Sequence, residues 1–173
     1  NPRDLYNVPG IVTNYINVID NMHAMTGFNN VVEVTIGNPV ILINGEEFEM
    51  PVAAYISPVS QAAMVPVRFV SVALGLEEDA VRWDPTTSTV TIDTGINNRI
   101  VQFVSNETFY RVNGAQISMV GADNVTLVAS EIREERMFIP FRQLGNAFGI
   151  PVSWDAETTT AFYNNPAEFA GIQ

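Results

Sequence analysis

Along residues 31–36, Val32, Val34 and Ile36 alternate with Glu33 and Thr35, the period of a strand that buries one face. Gly37-Asn38-Pro39 reads as a turn, and Ile41-Leu42-Ile43 as a second strand. Asn44-Gly45 follows. Both central residues of a type I′ turn need positive φ, so this dipeptide predicts a hairpin, with Phe48 and Met50 alternating with Glu47 and Glu49 on the return. Farther along, RIVQFV, TFYRV, Asn113-Gly114 and QISMV repeat the order. A helical stripe follows each hairpin: Phe69, Val70 and Leu74 in one, Leu144, Ala147 and Phe148 in the other. Pro66 and Pro140 sit where a first helical turn tolerates a missing N–H, and Gly75 and Gly149 are placed for left-handed C-terminal caps. A helix of about ten residues is not stable alone, so each must pack on the flanking strands.

These two stretches are copies. VPVRFVSVALGLEEDAVRWDPTTSTVTI at 65–92 matches IPFRQLGNAFGIPVSWDAETTTAFY at 139–163. The offset is 69 from Asn44 to Asn113, 74 from Pro66 to Pro140, and 71 from Trp83 to Trp154, so small insertions separate fixed points. The expected organisation is an N-terminal extension at 1–30, one repeat at 31–96, and a second at 97–173 with a short C-terminal tail. The predicted class is α+β: two tandem strand-rich repeats, each of antiparallel strands with a hairpin plus one short helix.

Composition narrows the chemistry. With 47% hydrophobic residues the chain can bury a core. A net charge of −11 argues against nucleic acid or an anionic membrane as partner. No apolar run approaches a membrane span, and any export signal is expected to have been removed already. All eight basic residues are Arg, so lysine Schiff bases, P-loop lysines and Lys–Asn cross-links are excluded. Cysteine is absent, which excludes disulfides and thiolate metal sites. His23 is the one histidine, so no multi-His site and no nucleophile–His–acid set is assembled, and no metal or cofactor is expected.

Several residues invite a sharper reading beside a plain one. Arg68 and Arg142 suit an acidic ligand, but matching places in two helices favour an internal ion pair or a carbonyl cap. Asp84 and Asp155 follow the tryptophans and suit turn capping better than glycoside hydrolysis, since no second acid recurs beside them. Trp83 and Trp154 would stack on sugars if exposed; their apolar flanks favour the core. Glu77-Glu78-Asp79 lacks a calcium-loop pattern and reads as a solvated loop. Pro66, Arg68, Gly75, Trp83, Asp84, Pro140, Arg142, Gly149, Trp154 and Asp155 are thus expected to define the fold.

The segment before the repeats is different. Ile11, Val12, Tyr15, Ile16, Val18 and Ile19 lie in a run rich in β-branched and aromatic residues, which favours strand. Ile11, Tyr15, Val18, Met22 and Met25 also fall at helical spacing, between Pro9 and Gly27. Both readings stay open.

The ordered set of Asn-Gly hairpin, VPVRF, a helix ending in Gly, Trp-Asp and a Thr-rich closing strand resembles the copper amine oxidase N-terminal-like, or stalk, domain over about residues 31–163. That family recurs in bacterial surface proteins. The resemblance implies an exported structural or binding module without copper or quinone chemistry, which needs three His that this chain lacks. The expected function is a non-enzymatic extracellular protein, a subunit of a cell-surface stalk, layer or filament. Residues 11–19 would add as a strand to a neighbouring copy, giving a head-to-tail homopolymer. The alternative is a module that binds cell-wall glycan or another surface polysaccharide.

Overall fold

The computed structural model describes residues 28–165. In chain order the strands are β1 (Val32–Thr35), β2 (Val40–Ile43), β3 (Glu46–Glu49), β4 (Tyr55–Ile56) and β5 (Ala63–Pro66), followed by helix α1 (Val67–Leu74). β6 (Val81–Asp84) and β7 (Thr89–Asp93) close the first copy. The second copy runs β8 (Ile100–Val104), β9 (Phe109–Val112), β10 (Ala115–Ser118), β11 (Glu131–Arg133), β12 (Arg136–Pro140), α2 (Phe141–Phe148), β13 (Val152–Asp155) and β14 (Thr160–Tyr163). The class is α+β, with antiparallel sheets and two short helices, as the pattern predicts.

The hairpin chemistry is the same in both copies. Asn44 and Asn113 have φ of 52° and 51°, and Gly45 and Gly114 both 85°, so each pair forms a type I′ turn. The Asn side chain also closes the neighbouring strand. Asn44 Oδ1 accepts the Val31 N–H at 2.9 Å, and Asn113 Oδ1 accepts the Ile100 N–H at 2.8 Å. Each helix starts after a proline that is also the last residue of a strand, and ends on a glycine at positive φ. Gly149 is left-handed at φ 74°; Gly75 lies farther out at 128°. In both, the residue after the glycine donates to the carbonyl five back, Leu76 to Ser71 and Ile150 to Gly145, and then buries its side chain.

Equivalent side chains cap the helix ends from outside. Asn30 Nδ2 donates to Ala73 O at 3.0 Å, and Arg99 Nη1 donates to Ala147 O at 2.9 Å. These satisfy last-turn carbonyls that a helix leaves without partners. Phe28 and Asn30 are buried, and the Phe28 ring lies 5.2 Å from that of Phe148, so the fold takes in residues just ahead of the first strand.

The copies interlock. The sheet orders are β13-β14-β1-β2-β3, β10-β9-β8-β7-β6 and β11-β12-β5-β4. Each five-stranded sheet therefore takes three strands from one copy and the closing hairpin from the other. The short connection between β7 and β8 explains one exchange: strands so joined pair as antiparallel neighbours, so the first copy closes beside the second copy's opening strand. β14 then pairs with β1, with Val34 opposite Ala161. The chain boundary at 96/97 falls in that turn and separates the copies in sequence but not in the sheets.

The four-stranded sheet joins the halves. Val65 pairs with Ile139, flanked by Met64–Pro140 and Pro66–Phe138. With the offset of 74, each of these residues is paired about its own counterpart, so a local two-fold axis passes through the Val65–Ile139 pair. Both side chains are fully buried in one core that draws on both copies. On the sheet's other face, Val52, Met64 and Phe138 form a smaller cluster beneath Tyr55. The Tyr55 hydroxyl donates to Glu131 Oε1 at 2.6 Å, and Ser57 Oγ donates to Oε2 at 2.6 Å. Burial, and then that bond to Glu131, raises the Tyr55 phenol well above its ordinary value.

Gly145 has a packing reason. A Cβ there would enter Val152 Cγ1 and lie 3.5 Å from Tyr163 Cε1, so α2 approaches β13 and β14 closely because the residue is glycine. Gly145→Ala is expected to lower the urea midpoint. Overpacking costs about 1–3 kcal/mol and outweighs the ~1 kcal/mol that Ala contributes over Gly in a helix. Adding Val152→Ala should restore part of the loss. The interlocked sheets predict, further, that fragments 1–96 and 97–173 each lack native far-UV circular dichroism, and that mixing them regains it. Native spectra from either fragment alone would contradict the exchange.

Candidate functional site: two grooves related by the repeat

The axis generates two grooves from equivalent parts. Groove one, about 530 Å³, takes Pro66, Arg68 and Phe69 from the start of α1, Trp83 from β6, and Ile132 and Met137 from the second copy's β11–β12 hairpin. Groove two, about 560 Å³, takes Pro140, Arg142 and Gln143 from the start of α2, Trp154 from β13, and Ile56 and Ala63 from the first copy's β4–β5 hairpin. Thus Pro-x-Arg and Trp of one copy meet a hairpin of the other. The repeat positions come together, and the far wall comes from a part of the chain that the motif does not include.

The grooves differ in how they are filled. In groove two, Phe141 stacks against Trp154 with ring centroids 5.6 Å apart, and Trp154 is half-buried. The buried Tyr163 hydroxyl holds the Phe141 carbonyl at 2.9 Å, and burial pushes that phenol well above its ordinary value. Groove one has Val67 in place of Phe141, and Trp83 is 40% exposed. The expectation that both tryptophans sit in the core is corrected here. Trp83 stands on an edge strand, has no aromatic partner among the described residues and is 40% exposed, while Trp154 packs onto the core rim.

Groove two also has an added wall. Met50 and Met119 are equivalent, since their amides bond Pro39 O and Thr108 O at the same offset of 69. Tyr55 and Glu131 are equivalent by register, at an offset of 76. Between them the first copy has residues 51–54 and the second 120–130, an insertion of seven (11 − 4). The inserted loop contributes Val120, Asp123, Thr126 and Val128 to the wall of groove two. Gln143 Nε2 ties it to α2 through Val120 O at 2.6 Å. Groove one has Phe69 where Gln143 stands and Pro51 where the loop would be. The change of offset along the repeat was the sequence signal of this loop, but nothing in it told where the loop lies.

Among the remaining candidates, Arg68 is exposed and its Nη1 donates to Glu78 O at 3.2 Å, a carbonyl cap. The Arg142 guanidinium lies 5.4 Å from the Phe141 ring centroid. Asp84 Oδ1 accepts the Thr86 N–H, and Asp155 Oδ1 the Glu157 N–H, both at 2.9 Å, so each carboxylate closes its turn. Glu77, Glu78 and Asp79 are exposed. Among the described residues, no group of three or more His, Cys, Asp or Glu is placed to hold a metal ion, and no helix is long and apolar enough to cross a membrane. Ile11, Val12, Tyr15, Ile16, Val18, Ile19 and His23 lie outside the described residues.

A doubled, strand-exchanged α+β module with two binding-sized grooves defines the class. Residues 16–80 and again 59–163 match the family model of the copper amine oxidase N-terminal domain, and the chain belongs to that family. The domain that names the family is non-catalytic and stalk-like. No curated protein and no solved structure matches the chain.

The inserted loop makes a pH prediction. Asp123 is held at about 2, below its ordinary 3.8, by the Thr126 hydroxyl first and then by the amides of Val125 and Thr126. These donors bind the charged form, so the capped loop is favoured above pH 3.8 and loses that support as pH falls through about 2. Thr126→Val removes the largest cause. The Asp123 carboxyl, followed by carbon NMR, should then titrate closer to its ordinary value.

Proposed function

We propose that this protein is a non-enzymatic structural module of the cell surface, a subunit of a stalk, layer or filament that joins its neighbours by strand addition. The observation that carries this reading is the set of open sheet edges. None of the three sheets closes among the described residues, and β13, β3, β10, β6, β11 and β4 each have one paired side. An unpaired edge is a template for another chain, and proteins blunt it with charge or short length where pairing is unwanted. β3 carries Glu46, Glu47 and Glu49, and β4 has two residues, so these two are blunted. The donor in this reading is residues 11–19, whose six apolar side chains divide evenly between the two faces of an extended strand: Ile11, Tyr15 and Ile19 on one, Val12, Ile16 and Val18 on the other. Removing residues 1–27, just ahead of the buried Phe28, should leave a folded monomer in analytical ultracentrifugation, while the full chain forms larger species. Assembly by the truncated chain would refute the reading.

A second reading, binding of wall glycan, is favoured by one observation: the exposed indole of Trp83 next to Arg68 in an open groove. Pull-down with insoluble wall polysaccharide tests it. Retention that Trp83→Ala reduces would support it, and no retention would remove it.

A further inference from the structure

Groove two has two additions to its walls: the inserted loop and the Phe141 ring against Trp154. Groove one, its counterpart across the axis, has neither. Trp83 is 40% exposed and Ile132 46% exposed, and both line it. Its two flanking strands, β6 and β11, are both sheet edges among the described residues. An apolar trough between two edges that can still accept backbone hydrogen bonds has the chemistry of a site for an extended apolar segment.

We propose that groove one is the acceptor for residues 11–19 of a second copy of this chain, an inference that rests on the assembly reading above. Three observations select that occupant. The segment IVTNYINVI has no charge in a chain of net −11, and Asp20 follows it directly. The groove is lined by apolar side chains with Arg68 and Arg136 beside the single acid Glu135, so an uncharged strand ending in an aspartate suits it. The third is placement. The chain enters the fold at the far ends of the helices, where Asn30 bonds Ala73 O and Phe28 meets Phe148. Groove one opens at the near end, at Pro66–Phe69. The point where the described chain begins and groove one therefore lie at opposite ends of α1, which suits a head-to-tail contact between copies.

The test uses the full-length chain and point substitutions at exposed positions. Ile132→Glu places a charge in groove one. Ile56→Glu does the same at the equivalent place in groove two, and Ile117→Glu at the open edge of β10, with Ile56 and Ile117 each 39% exposed. Thermal melts check that all three fold. Sedimentation velocity is expected to show assembly weakened about tenfold or more by Ile132→Glu, as for a central interface residue, and unchanged by the other two. In a Trp154→Phe background, Trp83 emission should shift to the blue as concentration rises. A double variant, Tyr15→Asp with Ile16→Asp, separates the two claims. If it still assembles, the assembly reading itself fails. If it is monomeric while Ile132→Glu assembles normally, the reading stands and groove one is not the acceptor. Loss of assembly with Ile117→Glu instead would assign the β10 edge. A blue shift independent of concentration would assign the groove to the chain's own segment. Retention on wall polysaccharide that Ile132→Glu abolishes without affecting assembly would make the groove a glycan site. Each of these last three outcomes overturns the proposal.

Discussion

The antiparallel pairing of β5 with β12 holds the molecule together. Val65 opposite Ile139 puts the same repeat position on both sides of one local axis. Both side chains are fully buried, and each such aliphatic residue contributes about 1.5–3 kcal/mol through removal from water. The pairing also fixes where everything else must go. Pro66 and Pro140 end these two strands and begin the two helices, so one register places both helices, both tryptophans and both grooves. A slip of one residue would turn Val65 and Ile139 away from the main core and bring Met64 and Phe138 in, exchanging side chains between the two clusters packed on opposite faces of the sheet.

Exchange of the closing hairpins follows from the same economy of connection. A short turn between β7 and β8 commits the first copy's last strand to the second copy's first sheet, and the axis repeats the arrangement at β14 and β1. Neither copy owns a complete sheet. The doubled motif therefore marks one interlocked body and not two beads on a string, because unfolding either copy opens sheets in both.

Duplication gave two equivalent grooves, and divergence treated them differently. Phe141 against Val67, Gln143 against Phe69, and a seven-residue insertion against none give the two grooves different walls. The differences lie in side-chain volume and in one loop, while the backbone framework is shared. Function in this chain is accordingly to be sought where the copies disagree, because what they share serves the fold.

Much of the framework was legible along the chain. Alternation at 32–36, the Asn-Gly turns, the proline starts and the glycine stops are local rules, set by backbone sterics and by the period of buried side chains, and neighbours in sequence suffice to read them. Gly145, by contrast, has its reason in a close approach to Val152 that no local pattern carries. That β14 joins β1 and that Asn30 and Arg99 cap the two helices depend on partners 40 or more residues away, and that Trp83 is more exposed than Trp154 depends on what packs beside each indole. The sequence by itself determined the unit, its repetition and the absence of Cys, Lys and a histidine set. The tertiary structure decided the exchange of hairpins and the inequality of the grooves, because long-range pairing and the space left between packed elements belong to no single segment.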